Sequence, residues 1–168
     1  MKKFDIKKYY SAFLIIGIGI LFDQITKILA TAFIKDNPIT VIPNFFSLDY
    51  LKNNGAAFGI LQGQLWFFLV ITVIALGVFV YMMKDFNLKE HKWYSIALLL
   101  IFSGTLGNLI DRVLHIHLTA DGYTTYVIDF LHFHFFAPHF NFADAYLTIG
   151  VAILIIDILF GKSGKILK

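Results

Sequence analysis

The chain has 168 residues, 58% of them hydrophobic and only 15% charged, with a mean hydropathy of +0.75 and a formal net charge of +3. Soluble domains carry roughly a quarter charged residues, so the composition excludes an ordinary soluble domain and describes an integral membrane protein with one domain, residues 1–168. The absence of cysteine excludes disulfides, thiol catalysis and Cys-ligated metal. Basic residues scattered in short groups, with no fold-level motif, exclude nucleic-acid binding.

In chain order, four apolar runs approach the ~20 residues that a bilayer core requires. They are about residues 13–34, 65–83, 93–114 and 141–160. Backbone groups in lipid must be satisfied internally, and continuous runs of this length favour helices over barrel strands. The expected fold class is an all-α membrane protein with four transmembrane helices and a small extracytoplasmic β-rich segment between the first two. Lysines before the first run invite comparison with a cleaved signal peptide. The run is longer than a signal-peptide core, and Asp23 and Lys27 interrupt it, so it is expected to remain as a span.

The connections alternate sides. Lys2, Lys3, Lys7 and Lys8 precede the first span, Lys84, Lys89 and Lys92 separate the second from the third, and Lys162, Lys165 and Lys168 follow the fourth. These are ten of the fourteen Lys and Arg residues. The positive-inside rule makes that side cytoplasmic and places both termini there. Lys27, Lys35, Lys52 and Arg112 fall at or beyond the outer ends.

Two segments lie outside. In 35–64, Ile39-Thr40-Val41-Ile42 and Phe45-Phe46-Ser47-Leu48-Asp49-Tyr50-Leu51 are β-prone with partial alternation. They predict a small sheet or hairpin on the membrane surface, followed by a glycine-bent return to the second span. The other segment, 115–140, is rich in aromatics and histidine, with a turn at Asp121-Gly122. Aromatic rings suit the membrane interface.

Ionisable residues inside spans are costly and are functional-site hypotheses by default. Asp23 and Lys27 stand i,i+4 on one helical face. They either neutralise one another or face a site or lipid headgroup. Gly104, Asn108, Asp111 and Arg112 share a face of the third span. There the glycines permit close approach, and Arg112 can pair with Asp111 or a site aspartate. Helix–helix hydrogen bonding and interfacial anchoring are the simpler roles. Asn141 and Asp144 open the fourth span, where an N-cap and a first-turn acid also have a purely structural use. That use does not explain why Asn108, Asp111 and Arg112 sit at the same depth, or why Asp129 lies nearby between Ile128 and Phe130. Apolar neighbours would raise the pKa of Asp129. Two carboxyls sharing a site cannot both ionise cheaply, and such a pair can activate water and protonate a leaving group. Asp157, at the inner end of the fourth span, is interfacial and apart from the others.

Two other chemistries compete. Buried acids can relay protons in a small transporter or channel subunit, although four helices without a repeat do not suggest paired transporter halves. His115, His117, His132, His134 and His139 could form a metallo-hydrolase site, since H-x-H pairs on strands present both rings on one face. Against this, His132 and His134 would face away from Asp129, the intervening phenylalanines suit an interfacial belt, and no helical metal motif occurs.

Taken together, the motifs resemble the lipoprotein signal peptidase family, also called signal peptidase II. They are Asp23-Gln24-Ile25-Thr26-Lys27, Asn53-Asn54-Gly55-Ala56-Ala57-Phe58, Gly104-Thr105-Leu106-Gly107-Asn108-Leu109-Ile110-Asp111-Arg112, Val127-Ile128-Asp129-Phe130 and Phe140-Asn141-Phe142-Ala143-Asp144. Their order and the four-span topology make the resemblance specific over most of the chain. It implies an intramembrane aspartic endopeptidase of the bacterial cell membrane, with its site at the extracytoplasmic face. Such an enzyme removes signal peptides from diacylglyceryl-modified prolipoproteins, cutting before the lipidated cysteine. The resemblance makes Asp129 and Asp144 the catalytic pair. It assigns Asp23, Lys27, Asn53, Gly55, Asn108, Arg112 and Asn141 to substrate binding and support. No metal or organic cofactor is implied. Membrane lipids are expected partners, and the cyclic peptide globomycin an inhibitor. The chain departs from many relatives in the length of residues 113–126, which would extend a hairpin at the rim or cover the site.

Overall fold

The computed structural model describes residues 6–55, 61–120 and 122–161. Its elements in order are α1 (Ile6–Phe33), β1 (Ile39–Ile42), β2 (Phe46–Asn53), α2 (Leu65–Met82), α3 (Lys92–Leu114), β3 (His117–Thr119), β4 (Gly122–Thr124), β5 (Val127–Phe133) and α4 (Phe142–Phe160). All four helices are long and apolar enough to cross a membrane, as the four runs predict. A short 3-10 turn, Met83–Asp85, extends the α2 end.

The first helix begins earlier than the apolar run at 13. Its opening residues, Ile6-Lys7-Lys8-Tyr9-Tyr10-Ser11-Ala12, include polar residues compatible with helical backbone, so helix continues beyond the stretch that hydropathy marks. At the fourth helix, Asn141 is the N-cap and Phe142 the first helical residue. Ala56, Ala57, Phe58, Gly59 and Asp121 lie outside the described residues, as do Lys2, Lys3, Lys162, Lys165, Lys168 and the side chains of Lys7 and Lys8.

Both long connections emerge at the same end of the bundle and share one sheet. β2 is the middle strand, antiparallel to β1 and to β5, in the order β1-β2-β5. The sheet predicted between the first two spans therefore has a third strand, from the connection between α3 and α4. Local pattern marks a strand but not a partner some 80 residues away. β3 and β4 form a separate two-stranded hairpin within 113–126. Gly122 closes it at φ 113, a conformation that suits glycine.

α3 is the central helix. Most of its middle is buried, including Leu98, Ile101, Ser103, Gly104, Asn108 and Asp111. α2 is largely exposed on one side, with Leu65 its one buried residue and Leu76 and Phe79 half-buried against Leu99 and Phe102. Such an apolar exterior is what a lipid solvent calls for. α1 crosses two apolar layers. Ala12 and Ile16 pack with Leu99, Phe102 and Phe86, whereas Ala30 and Ile34 pack with Ile128 and Phe130. Asp23 and Lys27 lie between them in the α1 sequence.

α3 and α4 approach closely because α3 carries glycine where they cross. A Cβ on Gly104 would strike the Ala143 carbonyl oxygen and come within 2.8 Å of Leu147 Cγ. One on Gly107 would lie 2.7 Å from Asp23 Oδ2 and 3.1 Å from Ala143 Cβ. Small residues at crossings of this kind let backbones pack without a void. Gly104→Val should therefore destabilise the detergent-solubilised protein by about 1–3 kcal/mol. Gly77→Ala, which meets nothing within 4 Å, should be neutral or slightly stabilising. Thermal unfolding followed by Trp66 and Trp93 fluorescence distinguishes the two.

Candidate active site

The polar layer is built around Lys27. Its Nζ lies 2.8 Å from Asp23 Oδ2 and 3.2 Å from Asp111 Oδ2, and donates to Asn108 Oδ1 at 3.1 Å. Lys27, Asp23 and Asp111 are no more than 2% exposed. A buried charge is tolerated when it is paired and hydrogen-bonded on all sides. Gln24 completes the layer by donating to Asp23 Oδ2, Asp111 Oδ1 and the Gly107 carbonyl.

The two carboxylates also accept backbone N–H groups. Asp111 Oδ2 accepts from Ile128 at 3.0 Å, and Asp23 Oδ1 accepts from Ala143 at 2.9 Å. Ile128 immediately precedes Asp129, and Ala143 immediately precedes Asp144. One ion-paired layer thus fixes the backbone of both segments that carry the candidate acids.

Asn141 and Asn108 join the acids. Asn141 Nδ2 donates to Asp129 Oδ1 at 2.7 Å and to Asn108 Oδ1 at 3.2 Å. Asn108 Nδ2 donates to Asp144 Oδ1 at 2.7 Å. Asn141 is also the N-cap of α4. Its side-chain oxygen accepts the Asp144 N–H at 3.0 Å, and Asp144 Oδ2 accepts the Asn141 N–H at 3.2 Å, a reciprocal capping box. The cap role and the site role therefore fall on the same two residues. On β2, Asn53 lies opposite Val127, diagonal to Asp129, and its Nδ2 donates to Asp129 Oδ2 at 2.8 Å. Gly55 N–H donates to Asn53 Oδ1 at 3.0 Å and orients that amide.

Asp129 is 1% exposed. Burial and then the Asp144 carboxylate push its pKa up to about 7, against the opposing hydrogen bonds from Asn53 and Asn141 and the charge of Lys27. This matches the direction expected from its apolar neighbours.

Asp129 and Asp144 line one cavity of about 580 Å³, within the usual range for small-ligand sites. Asn53, Gly55, Asn108 and Arg112 share its wall. Asp23, Lys27 and Asn141 are not in that wall; Lys27 and Asn141 hydrogen-bond to Asn108, which is. Arg112 does not take the suggested partner Asp111, which is occupied by Lys27 and Ile128. Its guanidinium instead sits 4.6 Å from the Phe68 ring centroid. Spacing in the sequence does not mark Gln24 as a bridge, Asp111 as a backbone anchor, or Phe133, Phe135, Phe136 and Phe140 as cavity wall. Gln24 carried a signal, being a polar neighbour of Asp23 in an apolar helix. The phenylalanines read equally well as an interfacial belt.

Fold and site together define a class: a multi-pass membrane protein with paired carboxyls in a cavity at one end of its bundle. The family model described as Signal peptidase (SPase) II matches residues 15–160. A lipoprotein signal peptidase of Staphylococcus aureus strain MRSA252 is 42% identical over 166 residues, with 95% of each chain covered. That of strain bovine RF122 / ET3-1 is 40% identical over 165 residues, again with 95% of each covered. A bacterial membrane enzyme solved by the in meso method at 2.3 Å superposes with a TM-score of 0.75 at 41% identity, covering 92% of this chain and 91% of that one. Another, at 1.9 Å, gives 0.72 at 41% identity, covering 89% and 93%. The chain belongs to the signal peptidase II family, a family of proteases. This favours the peptidase reading over the proton relay and the histidine metallo-hydrolase.

Removing Lys27 leaves two buried carboxylates without their cation. Lys27→Met should cost about 3–5 kcal/mol of stability. Adding Asp23→Asn should recover part of that loss. Chemical denaturation of the three proteins in matched detergent checks both.

Proposed function

We propose that Asp129 and Asp144 are the catalytic pair of an aspartic endopeptidase acting on diacylglyceryl-modified prolipoproteins, cutting before the lipidated cysteine. The observation that carries this reading is the shared cavity, in which Asn141 and Asn108 hold the two carboxyls toward one space. Lipoprotein signal peptidases are named for prolipoprotein processing, and family membership supports that substrate class.

The chemistry follows from one proton shared between two acids. The ionised carboxylate removes a proton from water as the water oxygen attacks the scissile carbonyl. The protonated carboxyl donates to the developing oxyanion and later helps protonate the leaving amine. The pair titrates as a unit. Asn53, Asn108 and Asn141 supply fixed donors that orient both carboxyls before substrate arrives. Arg112, at the wall, can attract a carbonyl or headgroup oxygen.

The cavity continues from the acids along α4 past Ala145, Leu147 and Ile149. Ile149 is 52% exposed on the outside of the bundle. A substrate anchored by acyl chains can approach sideways along this apolar flank, its chains still in the bilayer. Each buried CH₂ contributes roughly 0.8 kcal/mol. Membrane lipids are the competing occupants of that flank, and globomycin would fill the peptide-binding part of the cavity.

The whole chain acts as one membrane domain in the bacterial cell membrane. Lys84 and Lys89 lie in the α2–α3 connection and Lys92 opens α3, at the end opposite the sheet. The positive-inside rule then puts that end and both termini in the cytoplasm, and the acids at the outer face.

Asp129→Asn and Asp144→Asn should each lower cleavage of a purified diacylglyceryl-cysteine precursor by at least about 10³-fold while leaving the thermal unfolding midpoint in place. Substantial turnover by either variant refutes the pair, and globomycin should block the parent protein.

The rate should also fall as pH rises through about 7, where Asp129 loses its proton. The Asn53 hydrogen bond favours the ionised form of Asp129. Asn53→Ala should therefore move the alkaline limb to higher pH. A pH–rate profile flat from about pH 4 to 8 contradicts the assignment.

A further inference from the structure

β5 presents two faces. Val127, Asp129 and Phe133 line the cavity. His132, of opposite parity, belongs to the other face. There Ser47 and His132 are register partners, while Asp49 follows Ser47 by two residues on β2. The connection after β5 folds back, with Phe140 N–H donating to the Leu131 carbonyl at 3.0 Å and Leu131 N–H to the Phe140 carbonyl at 2.8 Å. That return delivers His139 to the same spot.

Three donors converge. His132 Nδ1 lies 2.9 Å and His139 Nε2 3.7 Å from the same atom, Asp49 Oδ2. The three ligand atoms all fall within 4.8 Å of one another. A tetrahedral zinc-class ion bound at about 2.0–2.2 Å requires donors roughly 3.3 Å apart, a value between the two observed approaches to Asp49. Two imidazoles and one carboxylate form a donor set suited to zinc and its neighbours rather than to magnesium or calcium.

The ligand shell has support. Ser47 Oγ donates to Asp49 Oδ2 at 2.6 Å and lies 3.0 Å from His134 Nε2. Such outer contacts orient metal-binding carboxylates. Asp49, His132 and His139 are 29%, 23% and 21% exposed, so an ion can reach them from solvent.

We propose that Asp49, His132 and His139 form a binding site for one zinc-class divalent transition metal, separate from the aspartate pair. The ion replaces the Asp49–His132 hydrogen bond, and the stacked rings of His132 and His139, 4.0 Å apart, turn to converge on it. A water or His134 completes the shell. Because His139 also lines the cavity, the bound ion ties β2 and β5 to the aromatic rim. The proposal does not depend on which residues catalyse cleavage.

The test uses full-length protein carrying no histidine tag, stripped with chelator in detergent. Zn²⁺ is titrated calorimetrically and Co²⁺ by its visible absorption. One ion per chain is expected, with four-coordinate Co²⁺ spectra and a Zn²⁺-dependent rise in the thermal unfolding midpoint. His132→Ala, His139→Ala and Asp49→Asn should each weaken binding at least about 10-fold and lose the midpoint shift, while keeping the parent's metal-free midpoint. His117→Ala and Asp129→Asn should bind as the parent does. Absence of saturable Zn²⁺ binding overturns the proposal, as does binding that survives the His132/His139 double substitution. Loss of binding in Asp129→Asn would place the ion at the aspartate pair and overturn it equally.

Discussion

The ammonium of Lys27, held between Asp23 and Asp111 inside the bundle, is the constraint on which the site depends. Its charge lets two carboxylates sit fully buried in the bundle. Those carboxylates then have lone pairs left for the N–H groups of Ile128 and Ala143. One anchored backbone leads into Asp129 and the other into Asp144. The layer therefore helps set the separation of two side chains that arrive from a strand and from a helix start, together with the backbone bridge between Leu131 and Phe140. A wholly apolar layer could pack α1 against α3 at least as well, since a buried ion pair is weak evidence of stability. It could not present acceptors to those two N–H groups. The polar layer is better understood as a positioning device than as a stabilising one.

The same economy appears at Asn141. Helix N-termini leave donors unsatisfied, and a cap residue must supply acceptors. Asn141 supplies its oxygen to the Asp144 N–H, while its amide nitrogen remains free to donate to Asp129 and Asn108. Aspartate or serine could cap equally well. Neither ionised aspartate nor a single hydroxyl could also offer two N–H donors. On the proposed reading, the asparagines keep both acids oriented without adding charge, while burial pushes the Asp129 pKa up to about 7.

How much of this was legible varies with the range of the interaction. Bilayer-length runs announce four spans because backbone satisfaction in lipid depends on local sequence alone. The i,i+4 spacing of Asp23 and Lys27 and the stripe of Asn108, Asp111 and Arg112 were likewise visible as helical faces. Their partners were not. Spacing in one helix cannot say that Lys27 reaches across to Asp111, or that Arg112 turns to Phe68. The start of α1 was missed because hydropathy measures the membrane, not the helix. The third strand escaped prediction as a sheet member because its pairing with β2 joins connections separated by two spans. The two acids of the proposed pair were the easiest residues to single out, since charge is conspicuous in an apolar chain. The aromatic cavity wall was the hardest, since phenylalanine near an interface has an ordinary explanation.

The alternation of β5 joins these themes. On the proposed reading, the site must exclude water enough to perturb a carboxyl, yet admit the one water that hydrolysis consumes. A strand meets both demands because its side chains point to opposite sides in turn. Asp129 faces inward, where Phe133 and the α4 flank displace solvent, and its pKa rises. Three residues on, His132 faces the partly exposed surface, its Nδ1 2.9 Å from Asp49 Oδ2. A helix in this position would spread its residues over 100° steps and could not separate the two environments so sharply over one short segment. The sheet, although small, is therefore what allows a dry acid and a solvent-accessible histidine cluster to share one backbone. Any change that slips the β2–β5 register by one residue would exchange those environments. The paired asparagine on β2, which meets Asp129 only in the observed register, opposes such a slip.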